Sequence, residues 1–170
     1  MLHPAAAHFA ISLPIISLVL GLLYLFKPSD VMSKVSTRFL VFSAIFVVVA
    51  YYTGKNDAGV VIGALSSFDY VSPPSLLGEH AKLGQYLAIA MVVVAFIKMF
   101  GCFKKMYKME LFAIILLAVL SAGILSQGKM GGELTYEHGL NVAKHAQMQM
   151  LPLKLLKWVM MKTKMKMNSF

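Results

Sequence analysis

Four apolar segments, each close to the length of a membrane span, constrain the fold of this chain more than any other feature. They cover residues 4 to about 26, 39 to about 53, about 80 to 103 and about 111 to 127. A spanning helix needs about 20 mostly apolar residues. Only 14% of the residues are charged, against about a quarter in soluble domains. We therefore expect an all-α protein, a bundle of four transmembrane helices.

The basic residues favour one orientation of these helices. The predicted loops after the first and third segments contain Lys27, Lys34, Arg38, Lys98, Lys104, Lys105 and Lys108. The positive-inside rule places these two loops in the cytoplasm and both termini outside. Because the lysines flank apolar runs or lie in the last thirty residues, the net charge of +9 does not indicate nucleic-acid binding.

Two segments outside the apolar runs have a character of their own. In the predicted loop 54–79, residues 60–65 are apolar but much too few to span, which indicates a re-entrant or interfacial segment. Residues 151–167 read LPLKLLKWVMMKTKMKM, a pattern typical of a basic amphipathic helix on anionic headgroups. We expect a four-helix transmembrane domain over 1–140 and a basic amphipathic tail over 141–170.

Four histidines fall, on this topology, at the outer ends of the helices: His3, His8, His80 and His138. An imidazole near hydrocarbon needs a partner, and it is a common axial ligand of haem and of transition metals. His8 lies deeper than His3 and is the inward-facing candidate. His80 starts the third predicted helix, and Gly84, one turn on, removes bulk where the edge of a macrocycle could pass. The alternative for each is an interfacial histidine bonded to a loop carbonyl.

The segment 131–139, GGELTYEHG, surrounds His138 with polar groups. Glu133 or Glu137 could accept a proton from an imidazole and raise its basicity as a ligand, and Tyr136 supplies an interfacial ring. Its glycines would let the backbone turn tightly at the membrane surface. The alternative is an ordinary glycine-rich exit loop.

A weaker metal-binding pattern lies in the tail. His145, Met148 and Met150 combine an imidazole with two thioethers, a set of ligands that suits Cu(I). Methionine is also a flexible apolar filler for membrane contact, so the alternative is a surface that lies against lipid.

These motifs resemble those of a family of bacterial four-helix membrane proteins of uncharacterised function, which open with an HP-x4-H-like helix and end with a GGxLxYxHG-like segment. The matching residues here are His3-Pro4 with His8, residues 52–57, His80 and residues 131–139, so the resemblance covers roughly residues 1–140. Members of the family are found joined to or near redox modules such as cytochrome c and Rieske domains. The resemblance therefore implies a haem or electron-transfer role in a bacterial inner membrane.

Together, these observations favour a b-type cytochrome subunit with both termini periplasmic. One haem b would be bound by His8 and His80, with His138 or His3 as alternates. It would be held non-covalently because Cys102 is the only cysteine and no CxxCH motif exists. A periplasmic cytochrome c or a larger membrane redox complex would be the partner. The alternatives are a non-redox accessory or scaffold subunit and an outer-face protein that binds copper, iron or zinc. No catalytic constellation is evident, so we expect a non-catalytic subunit.

Overall fold

The computed structural model describes residues 2–65 and 74–137 and contains four α-helices in that part of the chain. They are α1 (His3–Phe26), α2 (Asp30–Leu65), α3 (Pro74–Phe103) and α4 (Tyr107–Tyr136). Each contains a stretch long and apolar enough to cross a membrane, so the predicted all-α fold with four spans is confirmed. His138 and the tail 141–170, with its predicted amphipathic helix and its His145, Met148 and Met150, lie outside the described residues.

Within the described residues, those up to Gly132 form one compact unit, and 133–137 belong to a second. In the first unit the helices are held together by small residues, as is common in membrane bundles. A Cβ atom on Gly21 of α1 would lie 3.0 Å from the Cγ1 of Ile114 in α4. The hydroxyls of Ser17 and Ser43, 2.8 Å apart, join α1 to α2. These close approaches bring neighbouring helix backbones near enough for the side chains between them to fill the interior.

Apolar side chains occupy both the interior and the outer surface of the bundle. Leu40, Met91 and Leu117 are at most 1% exposed, whereas the outward-facing Phe42 and Val119 are more than half exposed. A helix that is hydrophobic all round is typical of a membrane span, because lipid solvates its outer face. The surface pattern is therefore that expected of a protein embedded in a bilayer.

The helices are longer than the apolar runs predicted, and three expectations are corrected. Residues 60–65 continue α2, so they are not a re-entrant segment. Because α3 begins at Pro74, His80 lies in the second turn of that helix and does not start it. Residues 128–136 continue α4, so the tight turn expected at Gly131 and Gly132 does not form. Glycine inside a helix costs only about 1 kcal/mol, and no proline interrupts α2 or α4. The glycines were therefore poor indicators of helix ends.

Lys98 was assigned to a cytoplasmic loop, and this was wrong. The residue lies inside α3, is 1% exposed and forms an ion pair with Glu110 of α4. The turn between these helices is much shorter than predicted, since α3 ends at Phe103 and α4 begins at Tyr107. Lys98 is therefore an intramembrane charge and does not contribute to the basic surface.

Candidate functional site

Two of the predicted histidines come together at one end of the bundle. The ring centroids of His3 in α1 and His80 in α3 are 6.5 Å apart, and the ring planes are nearly perpendicular. Around them are Gly54 of α2 and, on α4, Gln127 and Gly131. We call these five residues the histidine end. All four helices contribute to it, although its members are far apart in the sequence.

The His3 ring is held in a fixed orientation. Its Nδ1 lies 2.9 Å from the carbonyl oxygen of Ala50 in α2. Because a carbonyl can only accept a hydrogen bond, Nδ1 must carry a proton, and in the neutral ring the lone pair of Nε2 is then available to a ligand. A Cβ atom on Gly54 would lie 2.8 Å from the Cε1 of His3, so only glycine leaves room for the ring. Donation from Nδ1 to a backbone carbonyl is also how a metal-ligating histidine is commonly oriented.

The histidine end and its neighbourhood contain buried polar atoms without partners. Among the described residues, three buried side-chain atoms have no hydrogen-bond partner: Nδ1 of His80, Oε1 of Gln127 and Oδ2 of Asp57. Asp57 follows Gly54 by one turn on the same side of α2. A buried polar atom without a partner is rare in proteins and calls for an explanation such as water, an ion or a ligand. The unpartnered atoms of His80 and Gln127 both belong to the histidine end, which points to a polar or coordinating occupant there.

Two other predicted positions have different surroundings. His8 is exposed, and its Nδ1 lies 2.6 Å from the carbonyl oxygen of Pro4 in its own helix. At Gly84, a Cβ atom would lie 3.0 Å from Nε2 of Gln127. The same nitrogen donates a 2.8 Å hydrogen bond to the carbonyl oxygen of His80. The space beside Gly84 is thus taken up by the Gln127 amide, whereas the sequence suggested that it would be free for a macrocycle edge.

The predicted hydrogen-bonding partners of an imidazole lie in the second unit. Glu133 and Tyr136 are in the last turns of α4, and Glu137 follows the helix. Tyr136 is 89% exposed and Glu137 is exposed as well. Their role beside a histidine stays a prediction. Within residues 2–65 and 74–137, no group of three or more His, Cys, Asp or Glu side chains is placed to hold a metal ion.

At the opposite end of the bundle lies a polar cluster that the sequence analysis missed. The buried carboxylate of Glu110 forms an ion pair with Lys98. It also accepts a 3.0 Å hydrogen bond from the Tyr24 hydroxyl and a 2.7 Å hydrogen bond from the Ser33 hydroxyl. The Lys98 ammonium lies 4.7 Å from the centre of the Tyr24 ring, close enough for a cation–π interaction. We call these four residues, one from each helix, the Lys–Glu cluster.

The turn between α3 and α4 brings the two charges of this cluster together. A Cβ atom on Gly101 would lie 3.0 Å from the Cγ of Glu110 and 3.1 Å from its backbone nitrogen, so glycine permits the close approach. The amide of Met106 donates to the carbonyl of Gly101, and Lys105 adopts a φ of 54°. This left-handed residue after a helix, with that six-residue hydrogen bond, is a Schellman-type termination.

A cavity of about 210 Å³ adjoins the Lys–Glu cluster. Its walls include Tyr24, Ser33 and Glu110 from the cluster, together with Lys34 and Lys105. The charged groups that the sequence does reveal at this end, such as Lys105, are exposed. The deeper carboxylate could have been suspected from two opposite charges, Lys98 and Glu110, that flank a short basic turn between apolar runs.

The fold and its two polar ends define a polytopic, all-α membrane protein with four spans. The chain matches, over residues 1–144, the model of a family described as Predicted membrane protein (DUF2231). It belongs to that family. Comparison with curated proteins and with solved structures gives no match. The family description establishes the membrane class, which agrees with the structure and with the expected contact with lipid.

Proposed function

We propose that this protein is an electron-transfer subunit with a bis-histidine metal centre, in the first instance a b-type haem, at the histidine end. The observation that carries the proposal is the His3–His80 pair, with ring centroids 6.5 Å apart. An imidazole nitrogen lies about 2 Å from the metal that it binds, so rings at this separation would be near enough for both to bind one iron. A bis-histidine haem takes two imidazole ligands from the protein, and His3 and His80 would supply them.

The state of each ring supports the same assignment. His3 presents Nε2 because its Nδ1 donates to Ala50, and His80 has a buried Nδ1 without a hydrogen-bond partner. Coordination would give that nitrogen a partner. His3 thus replaces His8, which is exposed and bonded to its own helix, as the proposed second ligand.

When bound, the haem would supply a one-electron couple, and an iron with two histidine ligands has no open position for oxygen. The residues of the chain would bind and orient it: Gly54 admits the His3 ring, and Ala50 fixes its tautomer. A periplasmic cytochrome c or a larger membrane redox complex would exchange electrons with this centre. The orientation with both termini periplasmic in a bacterial inner membrane is part of the same proposal.

A single transition-metal ion is the second candidate, and the glycine packing favours it. The His3 ring fills the space over Gly54, and the Cε1 of His80 lies 3.3 Å from where a Gly131 Cβ would be. Both glycines thus make room for imidazoles, and a copper, iron or zinc ion needs less additional space than a macrocycle. Such an ion would need further ligands beyond the two histidines.

The test is a reduced-minus-oxidised visible spectrum of the full chain in mild detergent, with haem and metal analysis of the same sample. We expect a low-spin b-type spectrum that His3→Ala and His80→Ala each abolish. His8→Ala is the matched control and should retain it. If His8→Ala loses the haem spectrum and His3→Ala retains it, the ligands are His8 and His80, as the sequence predicted. Stoichiometric metal without haem would favour the ion. Folded protein with neither would favour a non-redox accessory subunit.

A further inference from the structure

The cavity beside the Lys–Glu cluster has no part in the proposed electron relay, which lies at the other end of the bundle. Its volume is about 210 Å³, below the 300–1,000 Å³ or so of pockets that enclose a drug-sized ligand. It is therefore suited to a small polar group. Ser29, Lys34 and Lys105 are among the residues that line it.

The cavity lies where the membrane spans end. Part of its wall comes from the segment between the end of α1 at Phe26 and the start of α2 at Asp30. Another part comes from the last turn of α3. The side chains of Phe26 and Phe103 at these helix ends are 87% and 80% exposed. Large apolar side chains at the helix ends beside a cavity lined by two lysines match the boundary between acyl chains and headgroups, so both parts of a lipid find suitable surroundings here.

The charge of the cavity favours an anion. The two carboxylates in its lining already have cationic partners, since Asp30 pairs with Lys105 at 2.8 Å and Glu110 pairs with the buried Lys98. Lys34 lines the cavity in addition, which leaves an excess of positive charge. Four further basic residues are exposed at this end: Lys27, Arg38, Lys104 and Lys108. Basic pockets between transmembrane helices bind the headgroups of anionic lipids by this chemistry.

We propose that this cavity binds the phosphate headgroup of an anionic glycerophospholipid from the leaflet at the Lys–Glu end. Lys34 holds the phosphate by its uncompensated charge, and the Ser29 hydroxyl donates a hydrogen bond to it. Lys105 stays paired with Asp30 and donates to the phosphate as well, since an ammonium has three donors. The acyl chains lie along the exposed apolar faces of the neighbouring helices. The site is independent of the histidines, so it stands whether or not a metal centre is present.

The experiment is native mass spectrometry of the full chain in mild detergent, with phosphatidylglycerol or phosphatidylcholine added at equal concentrations. We expect one retained phosphatidylglycerol per chain and little phosphatidylcholine. The double variant Lys34→Gln/Lys105→Gln should bind phosphatidylglycerol roughly thirtyfold more weakly, which is the loss of about 1 kcal/mol of attraction for each of the two lysines. Lys27→Gln/Lys108→Gln removes the same charge outside the cavity lining and should retain the lipid.

Each other outcome overturns the proposal. Equal losses in the two double variants would mean a diffuse charge effect. Equal retention of both lipids would mean that the site does not select for the net negative charge of the headgroup. Inorganic phosphate is added as a separate probe; if it displaces the lipid at millimolar concentration, the site is one for free anions. Lys34→Gln alone preserves the Asp30–Lys105 pair, so lipid binding can be measured on it even if the double variant folds poorly. We expect this single variant to lose part of the bound lipid.

Discussion

The two ends of the bundle differ in whether their buried polar groups have hydrogen-bonding or ionic partners. In the Lys–Glu cluster, both oxygens of the Glu110 carboxylate have partners, and the partners come from the three other helices. At the histidine end, the Nδ1 of His80 and the Oε1 of Gln127 are buried without a partner. A satisfied network rigidifies a structure, whereas an unsatisfied one carries a free-energy penalty that an occupant can remove. The contrast separates a site that holds the helices together from a site prepared to bind.

The largest effect is expected from removal of one charge of the satisfied end. Glu110→Ala leaves the Lys98 ammonium buried without a counter-ion, and we expect a loss of about 3–5 kcal/mol in the free energy of unfolding. Denaturation in detergent, followed by circular dichroism, measures it. Lys98→Met/Glu110→Leu removes both charges together and should recover most of the loss. A Glu110→Ala protein as stable as the parent would abolish the distinction between the ends.

A smaller loss is expected where the turn lets the helices meet. Gly101→Ala adds a Cβ atom 3.0 Å from the Cγ of Glu110 and 3.1 Å from its backbone nitrogen, so α4 must shift, at about 1–3 kcal/mol. Gly78→Ala, in the same helix, meets nothing within 4 Å. It should raise stability by about 0.5–1 kcal/mol, because alanine favours helix more than glycine does. Equal changes in the same unfolding assay would show that close packing at Gly101 is unimportant.

The unsatisfied end should respond far less in cofactor-free protein. His80→Leu removes a ring whose Nδ1 has no hydrogen bond to lose, and we expect a change of less than about 1 kcal/mol in the free energy of unfolding. The parent alone should gain stability when haem or a metal ion is added, by the linkage of binding to folding. A loss as large as that of Glu110→Ala would mean that the His80 ring is fully bonded and the site is structural.

The smallest effect is expected from the exposed pair at the Lys–Glu end. A hydrogen bond to Asp30 and the attraction of its charge raise the pKa of Lys105 above its ordinary value. Any stabilisation is therefore fully present below the unfolded pKa of lysine, about 10.4, and is lost as the pH rises through the higher folded value. Asp30→Asn should remove this alkaline dependence and leave neutral stability nearly unchanged. If the stability of Asp30→Asn falls at alkaline pH as that of the parent does, the Asp30–Lys105 pair is not the cause of the dependence.

The sequence alone predicted the four spans but placed their ends poorly. Apolar length is a property that each segment carries by itself, so the spans are visible without any tertiary contact. Helix ends depend on competition with solvent and neighbours. Gly54, Gly59 and Gly63 lie in the predicted loop 54–79, and a tight turn was expected at Gly131 and Gly132, yet α2 and α4 continue through these positions. Gly54 and Gly131 instead make room for His3 and His80.

Which polar side chains meet in the fold could be predicted from the sequence even less well than the helix ends. His3 and His80 meet because α1 and α3 bring their starts to the same end, at relative heights and rotations that no local pattern specifies. His8 looked better placed by depth, yet it is exposed. Glu110 was overlooked because it stands among the lysines of a predicted loop. Its isolation in an apolar sequence, with Lys98 opposite, was the available signal, since charges inside spans are usually paired.

The direct contact between Lys98 and Glu110 also bears on how the bundle responds to membrane voltage. A unit charge moved across the whole membrane does work of about 2.3 kcal/mol per 100 mV. An ammonium and a carboxylate in contact sit at nearly the same depth, so the work that the field does on one cancels the work on the other. The protein can thus hold two buried charges in its spans and remain insensitive to the potential. Neutralising Glu110 alone would leave an uncompensated charge on which the membrane field acts.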